Sequence, residues 1–256
     1  MTQSRFLKQL IYGGFYLIII SAFAFGIYFL IVGSTASCFD NKKNQSEIDI
    51  DCGGTCESCE LKNIKPLRIS PVLIFDNGDG TLSVLADFKN PNENYGGDRF
   101  LYKLNFYGPD RTLLNTLTRE SFIYPGEIKF IVEAGLNIDP KQVVSAELEV
   151  SDLSWKPIQE FSSPKTQVRD IHTEVQTESK RVIVSGLLVN QNPFGLSKVT
   201  TNVILFNKFG SETAVSKTSI EGIQASEERP FQVTFSGVDI PTLALDGIKV
   251  NIEAQR

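Results

Sequence analysis

The chain has 256 residues, with 30 acidic against 25 basic side chains, a formal net charge of -5, and one each of His, Met and Trp. This mild acidity offers no basic patch or stripe to neutralise phosphates, which excludes a nucleic-acid partner. Histidine-based chemistry would have to run through His172, which sits beside Asp170, and the sequence holds no Gly-x-Ser-x-Gly elbow, phosphate loop or HExxH. The expectation is a non-catalytic protein, although paired carboxylates of the glycosidase kind need proximity only in space.

The first element is LIYGGFYLIIISAFAFGIYFLIV, Leu10 to Val32, which has no charged residue and one strongly polar one, Ser21. At about 1.5 Å per residue it would be roughly 34 Å long, enough for the roughly 30 Å hydrocarbon core of a bilayer. It is read as an uncleaved signal anchor over 10–33, with the membrane as its partner. A cleaved signal peptide is the rival, because Arg5 and Lys8 precede the run and Ser34-Thr35-Ala36-Ser37 supplies small residues after it, but an ordinary signal core is shorter. Lys and Arg tie at two on each side, with Lys42 and Lys43 following the run. Arg5 and Lys8 lie closer and the cysteines all fall beyond the run, so residues 1–9 are expected in the cytoplasm and the rest outside a cell membrane crossed once.

All four cysteines fall within CFDNKKNQSEIDIDCGGTCESC: Cys38, Cys52, Cys56 and Cys59. An even cluster outside the membrane implies disulfides, in any of three pairings. Zinc competes less well, because there is one CxxC and no nearby His. Asp40, Asn44, Glu47, Asp49 and Asp51 are oxygen ligands of the kind calcium selects, and no other cofactor is indicated. Alternation supplies the plainer expectation, a short strand whose acids face water while Ile48 and Ile50 pack inward. Asn44-Gln45-Ser46 is also a glycosylation sequon.

From Leu67 onward the texture is all-β, with short apolar or alternating runs between turn residues. Expected strands are ISPVLIF, LSVLADF, FLYKLNFY, IKFIVE and VVSAELEV, then HTEVQTE, RVIVSGLLV, KVTTNVILFN, FQVTFSG and IKVNIEA. Asp76-Asn77-Gly78-Asp79-Gly80-Thr81 predicts a hairpin between the first pair, since Asn-Gly and Asp-Gly accept positive φ. The two sets of strands form an internal repeat of about 100 residues. VLADFKNPNENYGGDRFLYKLNFYGPDRTLL aligns with IVSGLLVNQNPFGLSKVTTNVILFNKFGSETA, Asn90 on Asn190, and Pro125-Gly126-Glu127 on Ala225-Ser226-Glu227. The expected domains are a cysteine-rich module at 38–62, two immunoglobulin-like β-sandwiches at 65–152 and 169–256, and a linker at 153–168. Phe106, Tyr107, Phe130, Phe206 and Phe231 should fill the sandwich cores, Asn90 and Asn190 should cap turns, and Trp155 should plug the seam between domains.

Two resemblances add to this. The cysteine segment resembles a small extracellular module with the pattern Cys-x-Asp-Gly-x-x-Asn-Gly-x-Glu-x-x-x-Asp-Cys-Gly-Gly-x-Cys-x-x-Cys, matched at Cys38, Asp40, Asn44, Glu47, Asp51, Cys52, Gly53, Gly54, Cys56 and Cys59. Asn41 and Gln45 stand where the pattern has Gly, which implies left-handed turns there. Each β repeat resembles the FxLYD-type and related immunoglobulin-like domains of bacterial envelope proteins, through Asn90, Asn92, Leu104, Phe106, Tyr107, Pro125, Gly126 and Glu127 and, in the second copy, Asn190, Asn192, Leu205, Phe206, Asn207, Gly210 and Glu227. Together they imply a structural, adhesion or envelope-assembly protein; the alternative is a calcium-dependent ligand-binding or sensor module.

Overall fold

The computed structural model describes residues 3–32, 37–44 and 46–256, so the small residues at 34–36 and Gln45 lie outside the described residues. Two units make up the chain, Met1–Asn63 and Ile64–Arg256. In the first, α1 (Gln3–Val32) contains an apolar segment, Leu7–Phe29, of 23 residues. No proline interrupts the helix, and from Leu10 to Phe29 its side chains carry no charge and are exposed all round, a pattern common to a membrane anchor and a signal sequence and unlike a helix with a single buried face.

The cysteine-rich segment that follows is a set of tight turns ending in the short helix α2 (Cys59–Lys62), whose first turn is capped by the Ser58 hydroxyl. Asn41 is at φ 57, as a left-handed turn requires, and so is Asp51 at φ 51. Gly54 must be glycine, because a Cβ there would lie 2.0 Å from the Ser46 carbonyl oxygen.

The second unit holds thirteen strands. The first sandwich pairs β3 (Leu82–Lys89) with β6 (Ile128–Leu136) on one side, and on the other with β1 (Arg68–Ile69) and β2 (Leu73–Asp76), two pieces of one edge interrupted at Pro71. Its second sheet is β4 (Tyr95–Tyr107) between β5 (Leu113–Ile123) and β7 (Ser145–Pro157). The second sandwich repeats this plan. β9 (Arg181–Asn190) lies between β8 (Thr166–Gln176) and β12 (Glu228–Phe235), and β10 (Leu196–Asn207) between β11 (Glu212–Ile223) and β13 (Leu243–Gln255). All these pairings are antiparallel. Where Pro71 breaks the edge of the first copy, β8 of the second has a register shift at Asp170, φ 51.

Each sandwich has its own core. Phe88, Phe100, Leu104 and Phe106 fill the first; Val184, Val203, Leu205 and Phe231 fill the second. The hairpin expected at Asp76–Thr81 joins β2 to β3, with Gly78 and Gly80 at positive φ. β5 and β11 were not among the strands expected. The stretch read as a linker, 153–168, is strand at both ends, leaving 158–165 between β7 and β8.

Candidate functional site

In the cysteine-rich segment the pairing is Cys38–Cys56 and Cys52–Cys59. Of the residues expected as calcium ligands, Glu47 and Asp51 face inward onto backbone N–H groups, Asn44 donates its side-chain amide to Asp40 at 2.7 Å, and Asp49 is exposed. Asp51 Oδ1 accepts from Asp40 N at 3.0 Å and Asn41 N at 3.1 Å, and Glu47 Oε2 from Asn44 N at 3.0 Å. Partial desolvation opposes ionisation of Asp40, but the Lys42 N–H and the Asn44 amide hold its carboxyl below the usual range. Asp49 accepts from the N–H of its neighbour Ile50. Glu47 and Asp51 are buried while Ile48 and Ile50 are 70% and 48% exposed, the reverse of the alternation expected. The reason is local: the segment turns back through Asp51 and the Asp49–Cys52 bridge, so the two-residue period of a strand does not apply. Cys38, Glu47 and Cys56 bring ligand atoms within 4.8 Å, but the two sulfurs are joined and carry no thiolate for a metal. The 3.3 Å approach of Cys56 Sγ to Glu47 Oε1 is likewise a contact, since a disulfide sulfur has no proton to donate.

The second unit concentrates its buried charge where the sandwiches meet. Leu85 and Val132 of the first pack against Ile204 and Val215 of the second, with Phe75, Phe130, Ala134 and Phe206 around them. Phe130 and Phe206, expected in separate cores, therefore face each other's sandwich instead. Beside this apolar cluster, Lys129 is fully buried; its Nζ lies 2.5 Å from Glu253 Oε2 and 4.0 Å from the centre of the Phe122 ring. The other oxygen of Glu253 accepts from Asn202 Nδ2 at 2.6 Å, and that amide also reaches the Phe130 carbonyl at 3.4 Å. Glu133 takes the Tyr102 hydroxyl at 2.5 Å and Lys217 at 3.2 Å. Burial first, then the charge of Glu133, pushes the Tyr102 phenol well above its ordinary range, so it remains a donor. Tyr102, Glu133, Asn202, Lys217 and Glu253 line a polar cavity of about 330 Å³ with Arg119, Thr200 and Gln255, and Lys129 lies behind Glu253. Glu133 and Glu253 are thus each engaged by a lysine and by a second donor, while at the cavity's rim Glu120 pairs with Arg99 at 2.9 Å and Asp98 with Lys156 at 2.7 Å.

The seam has further ties. The Tyr124 hydroxyl donates to the Ala254 carbonyl at 2.7 Å, and Phe161, from the segment joining the sandwiches, stacks on the Tyr124 ring with centroids 4.6 Å apart. Trp155 instead lies half-buried on β7 opposite Gly97, so Phe161 takes the place expected of it. Gly237 approaches Asn77 so closely that a Cβ would lie 2.0 Å from the Asn77 oxygen.

Both copies share a network built on an asparagine at the end of the central strand. Asn90 Nδ2 donates to the carbonyls of Tyr95 and Tyr124, and Asn190 Nδ2 to those of Phe194 and Gln224. Asn92 and Asn192 hold Lys65 and Lys165 through both N–H and carbonyl. Glu127 and Glu227 accept from Tyr124 N and Gln224 N. Their environments differ. Burial raises the Glu127 carboxyl despite the Lys129 charge and the Tyr124 N–H, whereas the Gln224 N–H and then Arg229 lower Glu227. His172 and Asp170 are exposed on β8.

The seam was missed in the sequence because its signal is a violation of pattern. In IKFIVE, alternation presents Lys129 as an ordinary polar position, yet Ile128 is 47% exposed and Lys129 is not exposed at all.

No protein-family model matches the chain, and no curated protein matches it in sequence. Solved structures to which it is similar include red sea bream transglutaminase, 14% identical over 75% of this chain and 29% of that one, TM-score 0.24. Another is the exo-beta-D-glucosaminidase CsxA, 11% identical over 72% of this chain and 25% of that one, TM-score 0.29. The chain therefore spans less than a third of either, and likenesses this loose carry no argument about activity.

Proposed function

We propose that the chain is a membrane-anchored, extracytoplasmic structural protein of the adhesion or envelope-assembly kind, non-catalytic, in which two immunoglobulin-like sandwiches form one stiff spacer. The observation that carries this is the seam. An apolar cluster and two lysine–glutamate pairs join the copies, and Phe161 of the joining segment stacks on Tyr124, where a pair of hinged domains would have a small polar contact. Glu133 and Glu253, the carboxylates of that seam, are already engaged by Lys217, Tyr102, Lys129 and Asn202 and so are not free as a glycosidase pair would be. The cysteine-rich module is taken as metal-free, supported by carboxylates that already serve backbone N–H groups, and its disulfides suit an oxidising compartment.

The test is topology in intact cells expressing the full chain. An impermeant maleimide should label none of Cys38, Cys52, Cys56 and Cys59 until an impermeant reductant is added outside, and all four afterwards. Labelling that needs lysis would put the module in the cytoplasm and end this proposal.

A further inference from the structure

We infer that Lys129 and Asn202 join in an isopeptide bond across the seam, with Glu253 carrying the protons. Three observations bring the reactants together. Lys129 and Asn202 are at most 1% exposed, so amine and amide are both withdrawn from bulk solvent. Both are seated on one carboxylate, Lys129 Nζ at 2.5 Å from Oε2 and Asn202 Nδ2 at 2.6 Å from Oε1. The attacked carbon, Asn202 Cγ, is one bond from Nδ2, so the shared carboxylate holds nucleophile and electrophile on its two oxygens, and reaction requires the side chains to close to the attack distance of roughly 3–3.5 Å. The backbone holds all three in place: Lys129 follows the Glu127 turn at the start of β6, and β10 pairs with β13 so that Glu253 lies opposite Thr200, two residues from Asn202.

The chemistry needs no further reagent. Glu253 takes a proton from the Lys129 ammonium, and the freed lone pair attacks Asn202 Cγ to form the new C–N bond. The amide π electrons move to Oδ1. Glu253 returns its proton to Nδ2 and takes the second Nζ proton; the carbonyl re-forms as the Cγ–Nδ2 bond breaks, and the departing ammonia takes that proton from Glu253 and leaves as ammonium. One ammonium and one amide become one secondary amide and one ammonium ion, so atoms and charge balance. An amine desolvated beside a base is the usual arrangement of a lysine nucleophile, and a carboxylate within hydrogen-bond reach of both partners is the usual general base. The product would tie β6 of the first sandwich to β10 of the second, a covalent form of the contact that the ion pair now makes. This goes beyond the spacer proposal and is decided by mass, not by topology.

The experiment is mass spectrometry of the full chain purified in detergent after incubation at growth temperature. With both disulfides reduced, the expected intact mass is that of the sequence less one ammonia. Trypsin should then fail to cut after Lys129 and release residues 120–141 joined to residues 199–208. Glu253→Gln, which keeps the size of the side chain, should restore the full mass and the cut. Full mass in the wild-type chain would overturn the inference and leave a static buried ion pair. So would an ammonia loss that maps to an imide at Asn77-Gly78. Cross-linking undiminished in Glu253→Gln would overturn the role given to Glu253.

Discussion

Replacing Asn90 by Ala removes four hydrogen bonds in a site with 1% exposure. Its amide nitrogen reaches the Tyr95 carbonyl at 2.7 Å and the Tyr124 carbonyl at 3.0 Å; its oxygen receives Asn92 N and Asn92 Nδ2, each at 3.0 Å. Tyr124 O keeps a partner in Glu127 N, and Asn92 Nδ2 keeps Lys65 O. The Asn92 N–H is therefore stranded, and the Tyr95 carbonyl loses its Asn90 donor. At about 1–3 kcal/mol for each buried group stranded, the cost should be about 3 kcal/mol. For a folded region of this size that is a fall of about 6–12 °C in Tm. Asn90→Asp should be worse than Asn90→Ala, because it turns a carboxylate oxygen toward two carbonyls. The same substitution at Asn190 should cost about as much, since its amide makes the corresponding bonds at 2.9 and 2.8 Å. The assay is thermal unfolding of the full chain in detergent, followed by the far-ultraviolet β signal. A loss below about 1 kcal/mol, or an Asp variant milder than the Ala variant, would show that these bonds exchange freely with water and are not the skeleton of the repeat.

Two further outcomes follow from the seam and the turns. Ile204 lies on the outward face of its own sandwich but is 1% exposed, so Ile204→Ala should cost about 2–4 kcal/mol in chemical denaturation, as a core deletion does; a change under about 0.5 kcal/mol would mark the seam as loose surface. Glu127 and Glu227 should give opposite pH slopes. The folded chain binds the Glu127 proton more readily than the unfolded chain, so that glutamate's contribution falls as pH climbs above the ordinary value of 4.5. Glu227 contributes above 4.5 and loses its contribution as pH falls below it. Melts of Glu127→Gln and Glu227→Gln across acid pH should flatten one slope each, and identical profiles would contradict both assignments.

The elements most legible in the sequence were those whose pattern is local. The length of the apolar run, the four clustered cysteines, the Asn-Gly hairpin and the repeat all rest on neighbours in the chain. β5 was not legible because LLNTLTRESFI is an edge strand exposed along most of its length, and β11 because ETAVSKTSIEGI is mostly polar although the seam half-buries it. The isoleucines at 48 and 50 misled because alternation was applied to a segment that turns. The seam was hidden for a different reason. A strand in a sandwich has one face toward its core, and nothing local says whether the other meets water or a second domain. Phe130 and Phe206 look like core residues in either case.

Comparing the two copies position by position shows what the seam demands. Tyr124 and Lys129 of the first copy correspond to Gln224 and Arg229 of the second. The first pair is buried against the second sandwich, through Ala254 and Glu253. The second pair lies near the surface, where the Arg229 guanidinium turns to Glu227 of its own turn. Each copy therefore offers a different surface to the contact: β6 and its preceding turn from the first, and β10, β11 and β13 from the second. Such a head-to-tail contact could in principle be repeated by a further copy. The second sandwich does not present what that would need. A copy docking there would have to bury Arg229 and the Glu227 carboxylate, which is stabilised in its ionised form, without the phenol and lysine that make the existing seam. The shared Asn–Asn–Glu skeleton makes each copy a sandwich; the residues grafted onto the Glu turn decide which copy packs and which faces water.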